Sequence, residues 1–327
     1  KTPSFMVSPD KQIFHCFGCS TGGNVFSFIM KRDNLSFPEA VRVLAKRAGI
    51  TVPEEEGLAA DPRSKEREQA FTINELAKKF FQYFLSNHES AQAARDYLSH
   101  RGITPDAVEE FNLGFAPPSW DTLLQFMKKK GFPADKLENA GLVLPKSRGG
   151  GGFYDRFRNR IMFPVLNETG KVAGFGGRVL DDSLPKYLNS PETQVFNKSR
   201  LLYGLNKAAE SIRHEDKAVV VEGYLDVITC HQAGITNVVA SLGTALTKEQ
   251  GKLLLRYTRE VTIAYDGDAA GASAAVRGLQ VLNELGCRVK VASIPDGKDP
   301  DEFIKNHGAE KFRDLVYTKA LSLSDYL

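Results

Sequence analysis

Residues 218–224 read AVVVEGY and residues 261–268 read VTIAYDGD, and these two stretches decide the fold. Each is a short, nearly continuous apolar run that ends in acidic residues. Amphipathic helical patterns separate them from similar runs at residues 237–242 (NVVASL) and 288–295 (RVKVASIP). Near-continuous apolar strands that alternate with helices are typical of a parallel sheet buried on both faces. The sequence from Lys217 onward therefore predicts an α/β sheet.

Three carboxylates follow these strands: Glu222 follows the first, and Asp266 and Asp268 follow the other. Ligands of open α/β sheets bind outside the carboxyl ends of the strands, so we expect the three side chains to converge there. Crowded carboxylates raise one another's pKa unless a cation neutralises them, and hard oxygen ligands suit Mg²⁺. The grouping predicts a divalent metal site, with a plain strand-to-helix turn at Asp266-Gly267-Asp268 as the alternative.

Size and composition limit the class of protein. The chain has 327 residues, of which 42% are hydrophobic and 25% charged, which is ordinary for a globular protein with more than one core. No apolar run approaches the roughly 20 residues needed to cross a bilayer, and no export signal opens the sequence, so we expect a cytoplasmic protein with no membrane partner. The net charge of +3 is small, so any nucleic-acid site must come from local clustering of basic residues.

Such a cluster lies between residues 146 and 200. In an extended stretch, Arg156, Arg158 and Arg160 would point to one face and offer three guanidinium groups to phosphates, although a solvated strand face is an equal alternative for this triplet alone. Further basic residues follow in the same region, namely Arg178, Lys186, Lys198 and Arg200. Because backbone phosphates dominate nucleic-acid affinity, the region is a candidate nucleic-acid surface.

Cys16-Phe-Gly-Cys19 has the spacing of a zinc knuckle. A redox motif is the weaker alternative, because the strand-like Ile13-Phe14-His15 precedes the pair and glycines follow it instead of a βαβ unit. A structural zinc site needs four ligands, and one pair supplies only two.

Several longer stretches carry a family resemblance. The acidic stretches at 219–234 and 264–271, with Asp299 and Asp301 in KDPDEF, resemble the Toprim domain of primases, topoisomerases and certain nucleases. Four more stretches resemble the polymerase-domain motifs of bacterial DnaG-type DNA primases: YDRFRNRIMFPV at 154–165, GFGGRVL at 174–180, PKYLNSPET at 185–193 and FNKSRLLYGL at 196–205. Residues 1–30 resemble the later half of the zinc-binding domain of the same family, so we expect an earlier Cys-x-x-His pair before Lys1.

The resemblance implies an α+β and α/β multidomain fold, with a small zinc-ribbon-like piece, a mixed α/β subdomain and a Toprim sheet. The boundaries that we predict are 1–52 for the second half of the zinc-binding domain, 53–70 for a linker, 71–213 for the N-terminal subdomain of the polymerase core, 214–300 for the Toprim domain and 301–327 for the start of a C-terminal helical region.

The resemblance also implies roles for individual residues. Glu222, Asp266 and Asp268 would be catalytic and hold Mg²⁺ or Mn²⁺, with Asp299 and Asp301 as a second acidic pair and Asp226 as a neighbour. Zn²⁺ would bind at Cys16 and Cys19 in the full-length zinc domain. Nucleotide would meet Arg156 and Arg158, and DNA would meet a second basic set, Arg178, Lys186, Lys198 and Arg200.

The implied activity is two-metal nucleotidyl transfer that joins ribonucleoside triphosphates into a short RNA primer on single-stranded DNA. The implied partners are the template, the nucleotides, the primer product and, by resemblance alone, the replicative helicase and single-strand-binding protein at the replication fork in the nucleoid. Two alternatives stay open: a Toprim nuclease or topoisomerase, and a non-catalytic recombination mediator that binds single-stranded DNA.

Overall fold

The structure, a computed structural model, describes residues 4–33, 35, 37–50, 62–146, 151–181, 183–243, 245–267, 269–295 and 299–322. The chain divides into two compact units, Lys1–Ala60 and Asp61–Leu327. Asp268 and residues 53–61 of the predicted linker lie outside the described residues. None of the described helices is both long and apolar enough to cross a membrane.

The smaller unit is a three-stranded antiparallel sheet followed by two helices. Its elements are β1 (Phe5–Ser8), β2 (Ile13–Cys16), β3 (Thr21–Asn24), α1 (Val25–Asp33) and α2 (Phe37–Ala48), with strand order β1-β2-β3. Three aromatic rings form its centre, with centroid distances of 5.5 Å for Phe5–Phe14, 5.3 Å for Phe14–Phe28 and 5.9 Å for Phe5–Phe28. Such a small aromatic core buries little surface, so a unit of this size ordinarily relies on a metal or a partner domain.

The larger unit begins with helices and two small antiparallel sheets. The four-stranded sheet has the order β4-β7-β8-β9, and β5 pairs with β6. The elements are α3 (Pro62–Asn87), a 3-10 turn (Glu89–Ala91), α4 (Gln92–His100), α5 (Pro105–Glu110), β4 (Gly114–Ala116), α6 (Thr122–Lys129), α7 (Ala134–Asn139), β5 (Val143–Pro145), β6 (Phe153–Asp155), β7 (Arg160–Leu166), β8 (Val172–Val179) and β9 (Tyr187–Asn189).

The larger unit continues into a five-stranded sheet of order β11-β10-β12-β13-β14, in which only β14 runs antiparallel to its neighbour. The elements are α8 (Leu205–Glu215), β10 (Ala218–Val221), α9 (Tyr224–Gln232), β11 (Val238–Ala240), α10 (Lys248–Leu254), β12 (Glu260–Ile263), α11 (Ala269–Glu284), β13 (Arg288–Val291), α12 (Pro300–His307), α13 (Ala309–Tyr317) and β14 (Leu321–Ser322). The predicted α/β sheet is confirmed. All four residues of β10 are buried, as expected of a central strand covered on both faces.

The four-stranded and five-stranded sheets of the larger unit share one apolar core. Phe163 of β7 stacks on Tyr224 of α9, with ring centroids 4.9 Å apart and planes 10° apart. The same buried cluster includes Val221 of β10 and Phe303 of α12. The continuous core fixes the antiparallel sheet against the parallel one, and with it the groups that each sheet presents to the cleft between them.

The element boundaries differ from the sequence-based expectations in three places. Helix α3 begins at Pro62, inside the predicted linker 53–70. Its first turns are rich in charged residues and its apolar positions begin at Phe71, so no apolar face marks the start of the helix in the sequence. The apolar spacing of residues 71–130 predicts helix throughout, but this stretch contains strand β4, which pairs with β7. Residues 301–327 were predicted as the start of a helical region, but β14 returns to the edge of the parallel sheet by pairing with β13.

Candidate active site

A cleft of about 270 Å³ lies where the four-stranded and five-stranded sheets of the larger unit meet. Its lining comes from both sides. Glu222, Ser241 and Asp266 follow the parallel strands β10, β11 and β12, whereas Lys186 and Tyr187 lie at the start of β9. The full lining is Arg101, Arg178, Lys186, Tyr187, Asn189, Glu222, Gly223, Tyr224, Leu225, Asp226, Ser241, Gly243, Asp266, Asp299 and Asp301.

Glu222 and Asp266 stand at the carboxyl ends of neighbouring parallel strands. Glu222 directly follows β10, and Asp266 comes three residues after Ile263 ends β12. Gly271 in the first turn of α11 packs against both: a Cβ added there would lie 2.2 Å from the Asp266 carbonyl oxygen and 2.9 Å from Glu222 Oε1. Glycine is therefore required at this position, because real Cβ atoms do not approach other atoms so closely.

Asp226 is buried beside these acids in the first turn of α9. Its Oδ2 accepts a 2.9 Å hydrogen bond from the Gly223 backbone N–H, which closes the loop that carries Glu222. Burial, followed by the charges of Asp299, Asp266 and Asp301, raises the pKa of Asp226 well above its ordinary value. The four aspartates are thus close enough to repel one another electrostatically.

Asp299 and Asp301, the predicted second acidic pair, differ in their contacts. Asp299 caps helix α12, since its Oδ1 accepts a 2.7 Å hydrogen bond from the Glu302 N–H. Both Asp301 oxygens already have partners: Oδ1 accepts from Thr229 Oγ1 at 2.6 Å, and Oδ2 accepts from Arg101 at 3.0 Å and Lys305 at 2.6 Å. Asp301 is held by two cationic side chains instead of facing the cleft unpaired.

Across the ranges that the structure describes, no three histidine, cysteine, aspartate or glutamate side chains lie close enough together to hold a metal ion. The donor chemistry nevertheless fits a divalent cation. Glu222, Asp266 and Asp299 offer hard carboxylate oxygens at one cleft. Burial and, after it, the charges of Asp299, Asp266 and Asp301 raise the pKa of Asp226, and a cation would relieve the repulsion among these acids. Of the five predicted acids, Glu222, Asp266, Asp299 and Asp301 line the cleft, with Asp301 held by Arg101 and Lys305, and Asp268 lies outside the described residues. Their assignment to the metal stays a prediction.

The opposite wall of the cleft is basic. The Arg178 guanidinium lies 4.3 Å from the Tyr97 ring centroid and 5.8 Å from that of Tyr187. Lys186 is exposed directly before β9. Arg101 joins them from the end of α4. Stacking on aromatic rings fixes a guanidinium without consuming all its donors, so this wall is suited to hold phosphate groups next to the acids.

Arg156, Arg158 and Arg160 do not share a strand face, and that prediction was wrong. The chain leaves the extended conformation between β6 and β7, where Asn159 has φ of +51°. Arg156 donates to the Asn189 carbonyl oxygen at 3.0 Å, whereas Arg160 is buried and donates to the Gly177 and Lys186 carbonyl oxygens at 3.2 and 3.3 Å. Arg160 therefore braces the sheet.

Arg158 points to a different surface. Its guanidinium lies 4.3 Å from the ring centroid of Trp120 and 5.3 Å from that of Tyr154, and it donates to the Asp155 carbonyl oxygen. Neither Arg156 nor Arg158 is among the residues that line the cleft.

Lys198 and Arg200 also lie outside the cleft lining, on the loop between β9 and α8. Helix α10 holds this loop. The buried Gln250 donates to the carbonyl oxygens of Lys198 and Leu201 at 2.9 and 2.8 Å, and Thr247 donates to that of Ser199 at 2.6 Å. The loop is thus held by α10 and its N-cap residue Thr247, and its basic side chains are not among the residues that line the cleft.

Cys16 ends β2, and Cys19 lies in the turn that leads to β3. Hydrogen bonds from the Thr21 side chain and backbone, together with one from Cys16, lower the pKa of the Cys19 thiol. These bonds favour the thiolate, which is the form that binds zinc. The assignment of Cys16 and Cys19 to zinc stays a prediction.

Comparison with known proteins identifies three family models along the chain in order: the CHC2 zinc finger at residues 1–60, the N-terminal domain of the DNA primase catalytic core at 80–209 and a Toprim-like domain at 219–304. The solved structure of the DnaG primase catalytic domain bound to single-stranded DNA is 39% identical, with a TM-score of 0.73 over 80% of this chain and 82% of that chain. The chain belongs to the DnaG primase family.

Two further relatives of this DnaG-family chain extend the match to the smaller unit. The Aquifex aeolicus primase structure, with zinc-binding and RNA polymerase domains, is 38% identical, with a TM-score of 0.72 over 99% of this chain and 77% of that one. The DNA primase of Halalkalibacterium halodurans is 47% identical over 325 residues, which are 99% of this chain and 54% of the relative. The chain thus spans about half the length of the curated relatives that it matches.

The cleft contains residues that sequence reasoning did not assign. Arg101 reaches Asp301 across 200 residues of chain, and no motif around Arg101 signalled this contact. Asn189 and Tyr224 lie inside stretches that resemble the family, so their position in the motifs was a signal for them. Ser241 ends a strand that carries no acid and gave no chemical signal.

Proposed function

We propose that this chain is the catalytic part of a DNA primase, which joins ribonucleoside triphosphates into RNA primers on single-stranded DNA by metal-dependent nucleotidyl transfer. The observation that carries the proposal is the cleft whose lining combines the acids Glu222, Asp266 and Asp299 with the basic residues Arg101, Arg178 and Lys186. Phosphoryl transfer between polyanionic substrates uses carboxylates to hold metal cations and positively charged side chains to hold the phosphates.

Each wall has a distinct task in this proposal. Arg178 and Lys186 would hold template or triphosphate phosphates, and the stacking of Arg178 on Tyr97 keeps its guanidinium in place. Glu222, Asp266 and Asp299, together with Asp268, would hold Mg²⁺ or Mn²⁺, which when bound supplies charge neutralisation and activation of the primer 3′ hydroxyl. Asp226 would orient the Glu222 loop through its bond to Gly223.

The family composition supports primer synthesis over the two alternatives. The match to the primase catalytic core at residues 80–209 belongs to a polymerase and has no place in a Toprim nuclease or topoisomerase. A non-catalytic recombination mediator would not need the two opposed charged walls. One structural relative, the DnaG catalytic domain, was solved bound to single-stranded DNA, and we extend that ligand to this chain as the template.

The remaining assignments follow from the same proposal. Cys16 and Cys19 would supply two of four zinc ligands in the zinc-binding domain, for which we retain the range 1–52, with 71–213 and 214–300 for the two parts of the polymerase core. Arg156 and Arg158 would contact nucleotide, and Lys198 and Arg200 would contact DNA beyond the cleft. A replicative helicase and single-strand-binding protein would be its partners at a cytoplasmic replication fork.

The test is RNA synthesis by the purified chain on a single-stranded DNA template with labelled ribonucleotides and Mg²⁺ or Mn²⁺, with a homologous zinc-binding domain supplied. We expect primer-length RNA from the unaltered protein and a loss of at least about 100-fold in Glu222→Gln. Glu310→Gln is the matched control, because Glu310 is an exposed acid whose partner is Arg313 on the same helix. Equal RNA yields from both variants, or cleavage of the template in place of synthesis, would contradict the proposal.

A further inference from the structure

Asn189 joins the two walls of the cleft through its side chain. Its Oδ1 accepts a 2.6 Å hydrogen bond from the Tyr224 hydroxyl, and its Nδ2 donates a 2.9 Å hydrogen bond to the Leu242 carbonyl oxygen. Its backbone carbonyl oxygen accepts from Arg156 at 3.0 Å. One residue of β9 is thus bonded to the first residue of α9, to the segment after β11 and to a predicted nucleotide contact.

The Tyr224 ring has little freedom to move. It stacks on Phe163, meets Tyr203 edge-on at 4.7 Å and fills the space above Gly176, where an added Cβ would lie 2.4 Å from the ring. Asn189 fixes the hydroxyl at the far end of this clamped ring. Any movement of Tyr224 would therefore also move the residues next to it in the chain.

Those neighbours are the acids. Tyr224 lies two residues after Glu222 and two residues before Asp226. The Gly223–Asp226 hydrogen bond caps the start of α9 and closes residues 222–226 into one turn, the Glu222 turn. Leu242, the other partner of Asn189, leads into Gly243, which also lines the cleft. The side chain of Asn189 therefore sets where the Glu222 turn stands relative to the β11 segment and to the basic wall that β9 itself carries.

We propose that Asn189 and Tyr224 are positioning residues that hold the Glu222 turn in the geometry needed to bind the divalent cation. The inference rests on the proposed function, because it explains how the metal-binding residues of that function are held in place. Neither residue needs to touch the cation or the nucleotide. Hydrogen-bonded partners behind metal ligands typically contribute about 10- to 100-fold in metal affinity when they are removed.

A second tyrosine-asparagine pair, at the opposite ends of the same strands, provides a control. The Tyr317 hydroxyl lies 2.8 Å from Asn237 Oδ1 and 3.2 Å from Glu215 Oε2, and Asn237 Nδ2 donates to the Lys217 carbonyl oxygen at 3.0 Å. Asn237 and Lys217 directly precede β11 and β10, so this second Tyr-Asn-carbonyl chain stands at the amino ends of the strands, away from the acids. Removing it should cost similar stability without disturbing the cleft.

The experiment is a Mn²⁺ titration followed by the electron paramagnetic resonance signal of free Mn²⁺, in the absence of DNA and nucleotide. It compares the full chain with Asn189→Ala, Tyr224→Phe and the double variant, and with the controls Asn237→Ala and Tyr317→Phe. We expect the Kd for Mn²⁺ to rise about tenfold in each cleft variant and by no larger factor in the double, because both residues act through one hydrogen bond. The controls should keep the Kd of the unaltered chain.

Thermal unfolding of every variant separates positioning from folding. Tm shifts that match between cleft and control variants, with a Kd change confined to the cleft variants, support the inference. Equal Mn²⁺ affinity in the unaltered chain and in Tyr224→Phe, the mildest change, would overturn it. Absence of Mn²⁺ binding by the unaltered chain would instead overturn the metal-holding role of the cleft, and the inference with it.

Discussion

Arg101 and Asp301, 200 residues apart in the sequence, form an ion pair of 3.0 Å in which the Asp301 side chain is 2% exposed and that of Arg101 34%. Lys305 adds a second cation to the same Asp301 oxygen at 2.6 Å. The pair joins the end of α4 to α12, and therefore the helical part of the larger unit to the acidic wall of the cleft. The positive charges of Arg101 and Lys305 thus compensate the negative charge of Asp301, one of the acids that line the cleft.

Asp301→Asn tests whether this pair stabilises the fold. The amide keeps the volume but loses the charge that both cations share, and we expect the free energy of unfolding to fall by about 1–3 kcal/mol, as for hydrogen bonds to charged groups. Asp314→Asn is the control, since its pair with Lys319 is solvent-exposed and screened, and its loss should lower the free energy of unfolding by much less. Urea unfolding measures both, and equal losses would show that burial adds nothing to the Asp301 pair.

Gly271→Ala should damage the site more than the fold. The added Cβ would meet the Asp266 carbonyl oxygen at 2.2 Å, so the segment that carries Asp266 must move away from Glu222. We expect RNA synthesis to fall by at least about 100-fold through misplacement of the acid. Gly278→Ala in the same helix is the control. Its nearest neighbour is the Ile263 Cδ1 atom at 3.2 Å, the end of a flexible side chain, and alanine favours helix.

Activity assays and circular dichroism on these two glycine variants separate the effects. Retention of the α-helical signal by both, with activity lost only in Gly271→Ala, is the expected result. Comparable activity in the two variants would show that Asp266 tolerates displacement, and would weaken its assignment to the metal.

The parallel sheet was predictable because its signals are local. Apolar runs such as Ala218–Val221 and the acids that follow them lie within a few residues of each other, and parallel strands bring their carboxyl ends to one edge. The arginine triplet failed for a local reason as well, since the positive φ of Asn159 breaks the strand between Arg158 and Arg160. Arg101 and Asn189 were out of reach because their roles depend on contacts across the two sheets, and such contacts leave no periodic pattern in sequence.

Gln250→Ala should loosen the basic loop that carries Lys198 and Arg200. The buried amide satisfies two carbonyl groups of that loop, and its loss leaves both without this donor, so we expect a cost of about 2 kcal/mol or more in the free energy of unfolding. A mobile loop binds phosphate less well, so the Kd for a single-stranded oligonucleotide should rise severalfold at low salt. Fluorescence anisotropy measures the Kd, with Gln125→Ala as the control because Gln125 bonds to the exposed Asp121 one turn earlier in the chain. An unchanged Kd would remove this loop from the DNA surface.

Asp155 gives the protein a stability that falls as the pH rises. Asp155 is the last residue of β6, and its carboxylate caps α6 by accepting hydrogen bonds from the N–H groups of Leu123 and Leu124 at 2.8 and 2.9 Å. Burial nevertheless raises the pKa of Asp155 from 3.8 to about 6. A raised folded-state pKa means that the native state favours the protonated acid. The contribution is fully present below about pH 3.8 and is lost as the pH rises through about 6, because ionisation then costs more in the folded than in the unfolded chain.

Asp155→Asn removes this titration. The amide lacks one acceptor oxygen, so the variant should be less stable than the unaltered chain at about pH 5, but it has no ionisation cost at about pH 7.5. We therefore expect the stability gap between the two proteins to shrink by about 1 kcal/mol between those pH values. Urea unfolding at both pH values measures the gap, and comparison of the two proteins cancels the titration of all other groups. A gap that is constant or widens with pH would mean that the two N–H donors outweigh burial and hold the carboxylate ionised.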